Sequence, residues 1–595
     1  MATFRARARA LDMLGRQQIA GIPTAISELF KNAHDAYADN VIVDYYRKDR
    51  LFILRDDGVG MTRKEFEDRW LSLGTESKLG ASLGLSLPPV EFSKVPRPTL
   101  GEKGIGRLAI AAIGKQVLVL TRGQRNGVLN NLVVAFINWG IFELPGLDLD
   151  EIDIPIEEFP IGVVPNKQDI ERLVEKFRDN FDRLREKISA KDRQRLLSEL
   201  QTFVVDPTEI QKWVGGPRLS DSHGTHFIIV PSEESLTVEI ESGDSDGENV
   251  SSLIKTLIGF SNTMTPDHPS PHIRSSFRYH KVEEQWSDLI APSEFWIPDD
   301  FNDSDHHIQG RFDEFGQFYG SVKVFNNNVT QYVVPWSGAL GTPTECGSFT
   351  IDFAYVQGRF SDSILPADTW TRMYRKVARI GGLYIYRDGI RVLPYGDNDY
   401  DFLDIEKRRN KSLGYYFFSY RRLFGAIQMS REQNSGLTEK AGREGFRQNK
   451  AYRELKSILI NFFTQLAADF FRGGGVYAEP FIEGNAELKR LEEARRKRET
   501  QANEQRKIMH SNIDAFFADI TAGRPLLDAD KIIEDLFDRL KVASEALDPQ
   551  EAALQFLQAE SQARKSLTAL RDKYRVSKPN GLGLTKQLRR EWSAY

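Results

Sequence analysis

The sequence predicts a multidomain chain of mixed α+β and α/β architecture that ends in a helical region. Three observations predict it. At 595 residues the chain exceeds what one core holds, about 250–300 residues, so at least two cores are expected. Up to about residue 471, apolar spacing switches repeatedly between helical and strand-like periods. Beyond 475 the patterning is helical, beginning with a largely charged run at 486–507.

Composition narrows the class. Hydrophobic residues make up 40% and charged residues 28%, which fits a globular chain and excludes a disordered one. The net charge of −5 argues against a generally basic nucleic-acid coat and leaves local basic patches open. The only cysteine is Cys346, which excludes an intramolecular disulfide and a Cys-based zinc site. A reducing, cytoplasmic home is the expectation. No run approaches the ~18 apolar residues of a membrane span. The N-terminal MATFRARARALDML is basic and lacks a secretory apolar core, so it reads as a short arm leading into a helix.

The elements follow in order. Ile19, Ile22, Ile26, Leu29, Phe30, Ala33 and Tyr37 recur at helical spacing, predicting a helix over 17–39 with Pro23 near its start. Strands are expected at 41–46 and 51–55, then a glycine turn at 56–60 and a helix at 63–73. Residues 74–106 are rich in Gly, Ser and Pro and predict a long loop. A helix from Arg107 and a strand at 116–121 close this unit. The charged stretch 166–214 reads as an inserted helical hairpin, after which a strand at 226–230 returns. The acidic, Gly/Ser-containing run 241–249 predicts a domain boundary. Domains are therefore expected at 1–240, 250–475 and 476–595.

Three motifs carry candidate chemistry. Glu28 and Asn32 lie four residues apart, about 40° of rotation on a helix, and Asp35 shares their face. Two carboxylates and an amide on one stripe can orient water and supply hard oxygen ligands to Mg²⁺. Asp56-Asp57-Gly58-Val59-Gly60-Met61 follows an apolar strand; its glycines permit close backbone approach to a flat ligand, and its carboxylate can accept from an exocyclic amine. Gly101-Glu102-Lys103-Gly104-Ile105-Gly106 precedes an apolar helical run, where backbone N–H groups make an anion site. It is not a P-loop, because no G-x-x-x-x-G-K-[ST] occurs.

In this order the motifs resemble the Bergerat-type site of the GHKL superfamily, which includes gyrase, heat-shock chaperones, histidine kinases and MutL. Glu28–Asp35 is similar to its N box, Asp56–Gly60 to its G1 box and Gly101–Gly106 to its G2 box. Gly224-Thr225-His226 is similar to the threonine motif that closes the adenine pocket. The resemblance implies an α/β sandwich ATPase domain, a mixed sheet with helices on one face, with ATP and Mg²⁺ as cofactors. It implies Glu28 as general base or water-orienting carboxylate and Asn32 as the Mg²⁺ ligand. Asp56 would receive the adenine amine, supported by Thr225. Gly58, Gly60 and Met61 would line the base, and Asp35 would join the nucleotide site. Gly101, Gly104, Ile105 and Gly106 would wrap the phosphates, with Lys103 adding charge. Residues 74–100 would be the ATP lid, entered through Lys78.

The likeness extends to a second domain. Gly382–Gly396 resembles the strand–turn–strand of the ribosomal S5-like transducer domain in the chaperone, MutL and MORC branch. In that branch a basic residue of the second domain reaches the γ-phosphate, which points to Arg443, with Arg431 as competitor. A sensor kinase is disfavoured because only about 20 residues precede the N box, and a MutL-type endonuclease because no DQHA motif is present. Asp303-Ser-Asp305-His306-His307 reads as a solvated loop rather than a metal site. His34 reads as a pocket-wall or surface residue.

The implied function is an ATP-driven clamp, closing as a homodimer at its N-terminal end. Basic clusters at Lys407–Lys411, Arg421-Arg422 and Arg495–Arg498 permit DNA as the partner, in genome maintenance or anti-phage defence. A separately encoded effector and chaperone-like remodelling of protein clients are the alternatives. The N-terminal arm, 1–14, reads as a free tail or as a segment exchanged between protomers.

Overall fold

In the computed structural model, the residues described are 6–73, 94–101, 106–243, 250–266, 268–282, 285–412, 414–440 and 442–595. Two compact units separate at residue 484: Met1–Gly484 and Asn485–Tyr595.

The first unit carries two sheets. The strands of the first are β1 (Asn40–Tyr46), β2 (Leu51–Asp56), β3 (Gln116–Arg125), β4 (Val128–Asn138), β5 (Ile156–Phe159), β6 (Gly224–Ile229), β7 (Arg274–Val282) and β8 (Gln285–Asp288). Their order is β5-β4-β3-β6-β2-β1-β7-β8. All pairs are antiparallel except β1–β7, so the sheet is mixed. The sheet takes in β7 and β8, past the acidic 241–249 run where the sequence suggested a boundary.

The helix Ile22–Asp35 covers one face. It begins five residues later than its apolar spacing suggested, because Gly21 at φ 85° and Pro23 in the first turn set its start. Its buried stripe includes Ala25, Ile26, Leu29, Phe30 and Ala33. The expected helix at 63–73 is a single turn, Arg63–Glu65, capped reciprocally by Thr62 and Glu65, that runs into a π turn, Phe66–Trp70. Gly106–Ala112 is a 3₁₀ helix.

The opposite face is covered by the insert. It forms three helices, Lys167–Arg183, Ala190–Gln201 and Pro207–Trp213, rather than a hairpin. Asn166, Ser189 and Asp206 cap their N-termini. Phe177 packs edge-on against Phe136 of β4 at 5.5 Å. Two fully buried arginines tie the insert down. Arg55 of β2 donates to the carbonyls of Val214, Gly215 and Gly216, and Arg122 of β3 to that of Leu219. Arg55 also pairs with buried Asp44, which accepts from His280 on β7 at 2.9 Å.

The second sheet holds β9 (His306–Phe312), β10 (Phe318–Val324), β11 (Asn327–Val334), β12 (Phe349–Tyr355), β13 (Gly382–Arg387), β14 (Ile390–Arg391) and β15 (Leu423–Met429), in the order β11-β10-β9-β12-β15-β13-β14. Helix Lys450–Phe471 packs Phe462 and Phe463 against Phe312, Phe318 and Phe353. The expected loop at 303–307 is not solvated. Asp305 and His306 are fully buried at the start of β9, with Asp305 accepting from the backbone N–H groups of Gln357 and Ile364.

The second unit is helical. It contains most of Glu479–Thr521, then Arg524–Ser544, Pro549–Lys573 and Lys586–Ala594. Its small core gathers Met509, Ile513, Val576, Leu582 and Leu588. Among the described residues no helix is long and apolar enough to cross a membrane.

Candidate functional site

Glu28 lies inside the helix Ile22–Asp35, with its side chain 6% exposed. Its Oε1 accepts from Lys31 Nζ at 3.1 Å, one helical turn on. Its Oε2 faces the glycine motif: a Cβ on Gly106 would stand 3.1 Å from that oxygen and 3.8 Å from Asn32 Oδ1. A side chain at 106 would crowd the Glu28 carboxylate, so glycine lets the 3₁₀ helix start close to it.

Asp56 ends β2, fully buried. Its Oδ1 accepts from Gly58 N–H at 2.9 Å, and burial pushes the carboxyl up to about 7, with the Gly58 N–H pulling against it. Register places Asp56 opposite Thr225 on β6, and Thr225 opposite Thr121 on β3. The two threonine hydroxyls lie 3.0 Å apart, and Thr121 Oγ1 also accepts from Met61 N–H at 3.0 Å. Gly60 adopts φ 58°, and a Cβ there would fall 1.9 Å from the Arg122 carbonyl oxygen. The result is a buried cluster of one carboxylate and two hydroxyls with close backbone, a chemistry suited to a flat ring bearing an amine.

Asp35 is engaged differently from Asn32. Its Oδ1 accepts from Leu100 N–H at 2.8 Å and its Oδ2 from Gly101 N–H at 2.9 Å. It therefore anchors the entrance of the glycine motif to the helix. Upstream, Lys94 donates to the Tyr37 carbonyl at 2.7 Å and Arg97 to the Ala38 carbonyl at 2.7 Å, laying 94–101 across the helix C-terminus. On the far side, Arg107 donates to the carbonyls of Arg69 and Ser72. Lys78, Lys103, Gly104, Ile105 and most of the expected lid fall outside the described residues.

The second sheet's side of the unit reaches this site through one turn. Arg443, at φ 61°, sits between residues 439 and 446, which form an antiparallel bridge. Its Nε lies 3.1 Å from Glu28 Oε1 and its Nη1 3.0 Å from Glu439 Oε2. The competitor, Arg431, instead donates to the Thr99 carbonyl, beside the glycine motif. Burial works to lower the Arg443 pKa, but Glu28 and Glu439 outweigh it and hold it above the ordinary value.

Sequence reasoning singled out neither Lys31, Thr121 nor Glu439. Lys31 stood inside the quoted motif; Thr121 had a signal only in its alternation along β3. His34, expected at a wall or surface, is fully buried. The arm docks on its own domain where described: Arg7 pairs with Asp148, and Ala8 and Leu11 are buried.

The donors bear on Mg²⁺ as well. Among the described residues, no group of three or more His, Cys, Asp or Glu side chains could hold a metal ion. One amide oxygen at Asn32, 3.8 Å from where a Cβ on Gly106 would stand, fits Mg²⁺ carried on nucleotide phosphates, which asks little of the protein. It does not fit a metal held by the chain alone.

A family model described as "Histidine kinase-, DNA gyrase B-, and HSP90-like ATPase" matches residues 21–158, which span Glu28, Asp56 and Gly106. Over those residues the chain is similar to GHKL-type ATPase domains. A curated relative, "Chaperone protein HtpG" of Wigglesworthia glossinidia brevipalpis, is 29% identical over 93 residues. The match spans 15% of this chain and 14% of that relative's length. A solved structure titled "Crystal Structure of N terminal domain of a DNA repair protein" aligns over 77% of this chain and 98% of its own, at 11% identity and a TM-score of 0.36.

Proposed function

We propose that the chain is a Mg²⁺-dependent ATPase that works as a conformational switch, with hydrolysis at Glu28. The observation that carries this reading is Arg443, which crosses from the second-sheet side to the N-box carboxylate at 3.1 Å. Asp56 accepts the adenine amine, with Thr225 and Thr121 orienting its surroundings. Gly101 and Gly106 frame the phosphate loop to which Lys103, Gly104 and Ile105 belong. Asn32 offers its amide oxygen to Mg²⁺, which when bound neutralises phosphate charge. Glu28 Oε2, facing Gly106, orients the attacking water and takes its proton. Arg443 moves to the terminal phosphate and leaves it after hydrolysis, so ATP and ADP favour different arrangements of the two sides.

In this reading the switch closes as a homodimeric clamp on DNA, with or without a separate effector. Support comes from Lys407, Arg408, Arg409 and Lys411 on the short helix Ile405–Lys411. The chaperone-like reading draws on the name of the HtpG relative. Phosphate release, measured with and without Mg²⁺ and duplex DNA, tests the proposal. DNA stimulation should fade steeply with salt, roughly −0.9 in log–log slope per phosphate neutralised. Turnover that ignores DNA at low salt moves the substrate to a protein client; no turnover with Mg²⁺ present ends the ATPase reading.

A further inference from the structure

Two carboxylates, the proposed base Glu28 and Glu439, meet three cations. Lys31 Nζ lies 3.1 Å from Glu28 and 3.9 Å from Glu439. Arg443 lies 3.1 Å from Glu28 and 3.0 Å from Glu439. Lys31 and Arg443 are thus each shared by both carboxylates, forming a closed ring of alternating charge. Arg387 Nη1 stands outside the ring, 3.6 Å from Glu439 Oε1. All five side chains are at most 17% exposed. In such surroundings an unpaired charge is strongly unfavourable, so the pairing is a constraint.

The ring is asymmetric in a useful way. Glu28 and Lys31 belong to the first helix, whereas Glu439 and Arg443 flank one turn closed by the 439–446 bridge. If the two sides shift, the Arg443–Glu439 pair travels intact, while Arg443–Glu28 and Lys31–Glu439 are the contacts that break. Both cations touch Glu28 through the same oxygen, Oε1, leaving Oε2 toward Gly106.

The geometry points to Glu439 as a positioning residue that limits how far Lys31 and Arg443 commit their charge to Glu28, and that keeps Arg443 paired while it exchanges Glu28 for the terminal phosphate. This rests on the reading of Glu28 as the base and Arg443 as the phosphate contact. Glu439 itself is held below the usual carboxylate range: burial would raise it, but Lys31, Arg443 and Arg387 outweigh burial. Among the described residues, Asp388, Arg391 and Arg431 also line the polar cavity shared with Lys31, Arg387 and Glu439.

The test uses the full chain and steady-state phosphate release across pH, with Glu28→Gln, Glu439→Gln and Glu439→Asp. In Glu439→Gln both cations fall to Glu28, so kcat should drop roughly tenfold or more with KM little changed. The acidic limb of kcat should move to lower pH, because both cations then face Glu28 alone. Glu439→Asp, which keeps the charge, should recover part of kcat and return the limb toward the wild-type position. Wild-type kcat and pH profile in Glu439→Gln overturn the proposal, as does a loss of kcat with no shift of the limb. If Glu439→Gln does not fold, Glu439→Asp carries the test alone: a reduced kcat with a limb shifted in the same direction supports the role, and an unchanged profile overturns it. Normal turnover by Glu28→Gln would instead overturn the underlying assignment of the base, which separates the two failures.

Discussion

Arg443 Nε and Glu28 Oε1 stand 3.1 Å apart, although 415 residues separate them in sequence, and Glu28 lies on the helix that carries Asn32. The second-sheet side therefore contacts the first at the carboxylate proposed for hydrolysis. That contact frames the first prediction.

Glu28→Ala should abolish hydrolysis and spare nucleotide binding. The proposed adenine and phosphate contacts reside on other residues, while loss of a positioned base typically lowers rates ~10²–10⁴-fold. Titration calorimetry with a non-hydrolysable ATP analogue, beside phosphate release, checks both halves. Near-normal turnover would remove Glu28 from the mechanism.

Asp56 gives a pH dependence of known sign. Its carboxyl is raised from the ordinary value to about 7 in the fold, chiefly by burial. A raised carboxyl contributes stability that is fully present below its unfolded value, near 4, and is lost as pH rises through about 7. Nucleotide-free thermal stability should therefore fall between pH 4 and 7 from this group, and Asp56→Asn should flatten that slope. ATP affinity should run the opposite way, rising as the ionised carboxylate becomes the better acceptor for the adenine amine. Affinity independent of pH across 6–8 in the wild type would argue that Asp56 holds no amine.

Gly60→Ala should destabilise the first domain. The residue sits at φ 58°, and its Cβ would meet the Arg122 carbonyl oxygen at 1.9 Å. Strain at positive φ together with this clash should exceed about 1 kcal/mol. Chemical denaturation of the variant gives the number, and an unchanged midpoint would contradict the close approach.

Arg55→Ala should loosen the insert. It strips buried Asp44 of its closest cationic partner and leaves the carbonyls of Val214, Gly215 and Gly216 without their donor. Breaking a buried pair of this kind costs about 3–5 kcal/mol. Limited proteolysis should then cut near 214–216, where the wild type resists.

Short-range signals were legible in the sequence. Spacing along one helix placed Glu28 and Asn32 together, and glycines marked where Gly60 and Gly106 approach other groups. Contacts closed by distant chain segments were not. Lys31 and Glu439 gain meaning only when residues 439–443 arrive beside the first helix. The acidic run 241–249 looked like a boundary because the parallel pairing of β7 with β1 leaves no local trace. Residues 303–307 looked solvated because the N–H groups that satisfy Asp305 come from Gln357 and Ile364.

Strand alternation puts the proposed adenine-binding residues and the insert on opposite faces of the same three strands. Asp56, Thr121 and Thr225 face one way, and their immediate neighbours Arg55, Arg122 and His226 face the other. A one-residue slip in the pairing of β2, β3 or β6 would therefore exchange the two sets, sending a guanidinium to the face of the proposed adenine contacts and a carboxylate under the insert. A single-residue insertion in one of these strands is tolerated only where a bulge absorbs it, as β3 already does between Arg122 and Gln124.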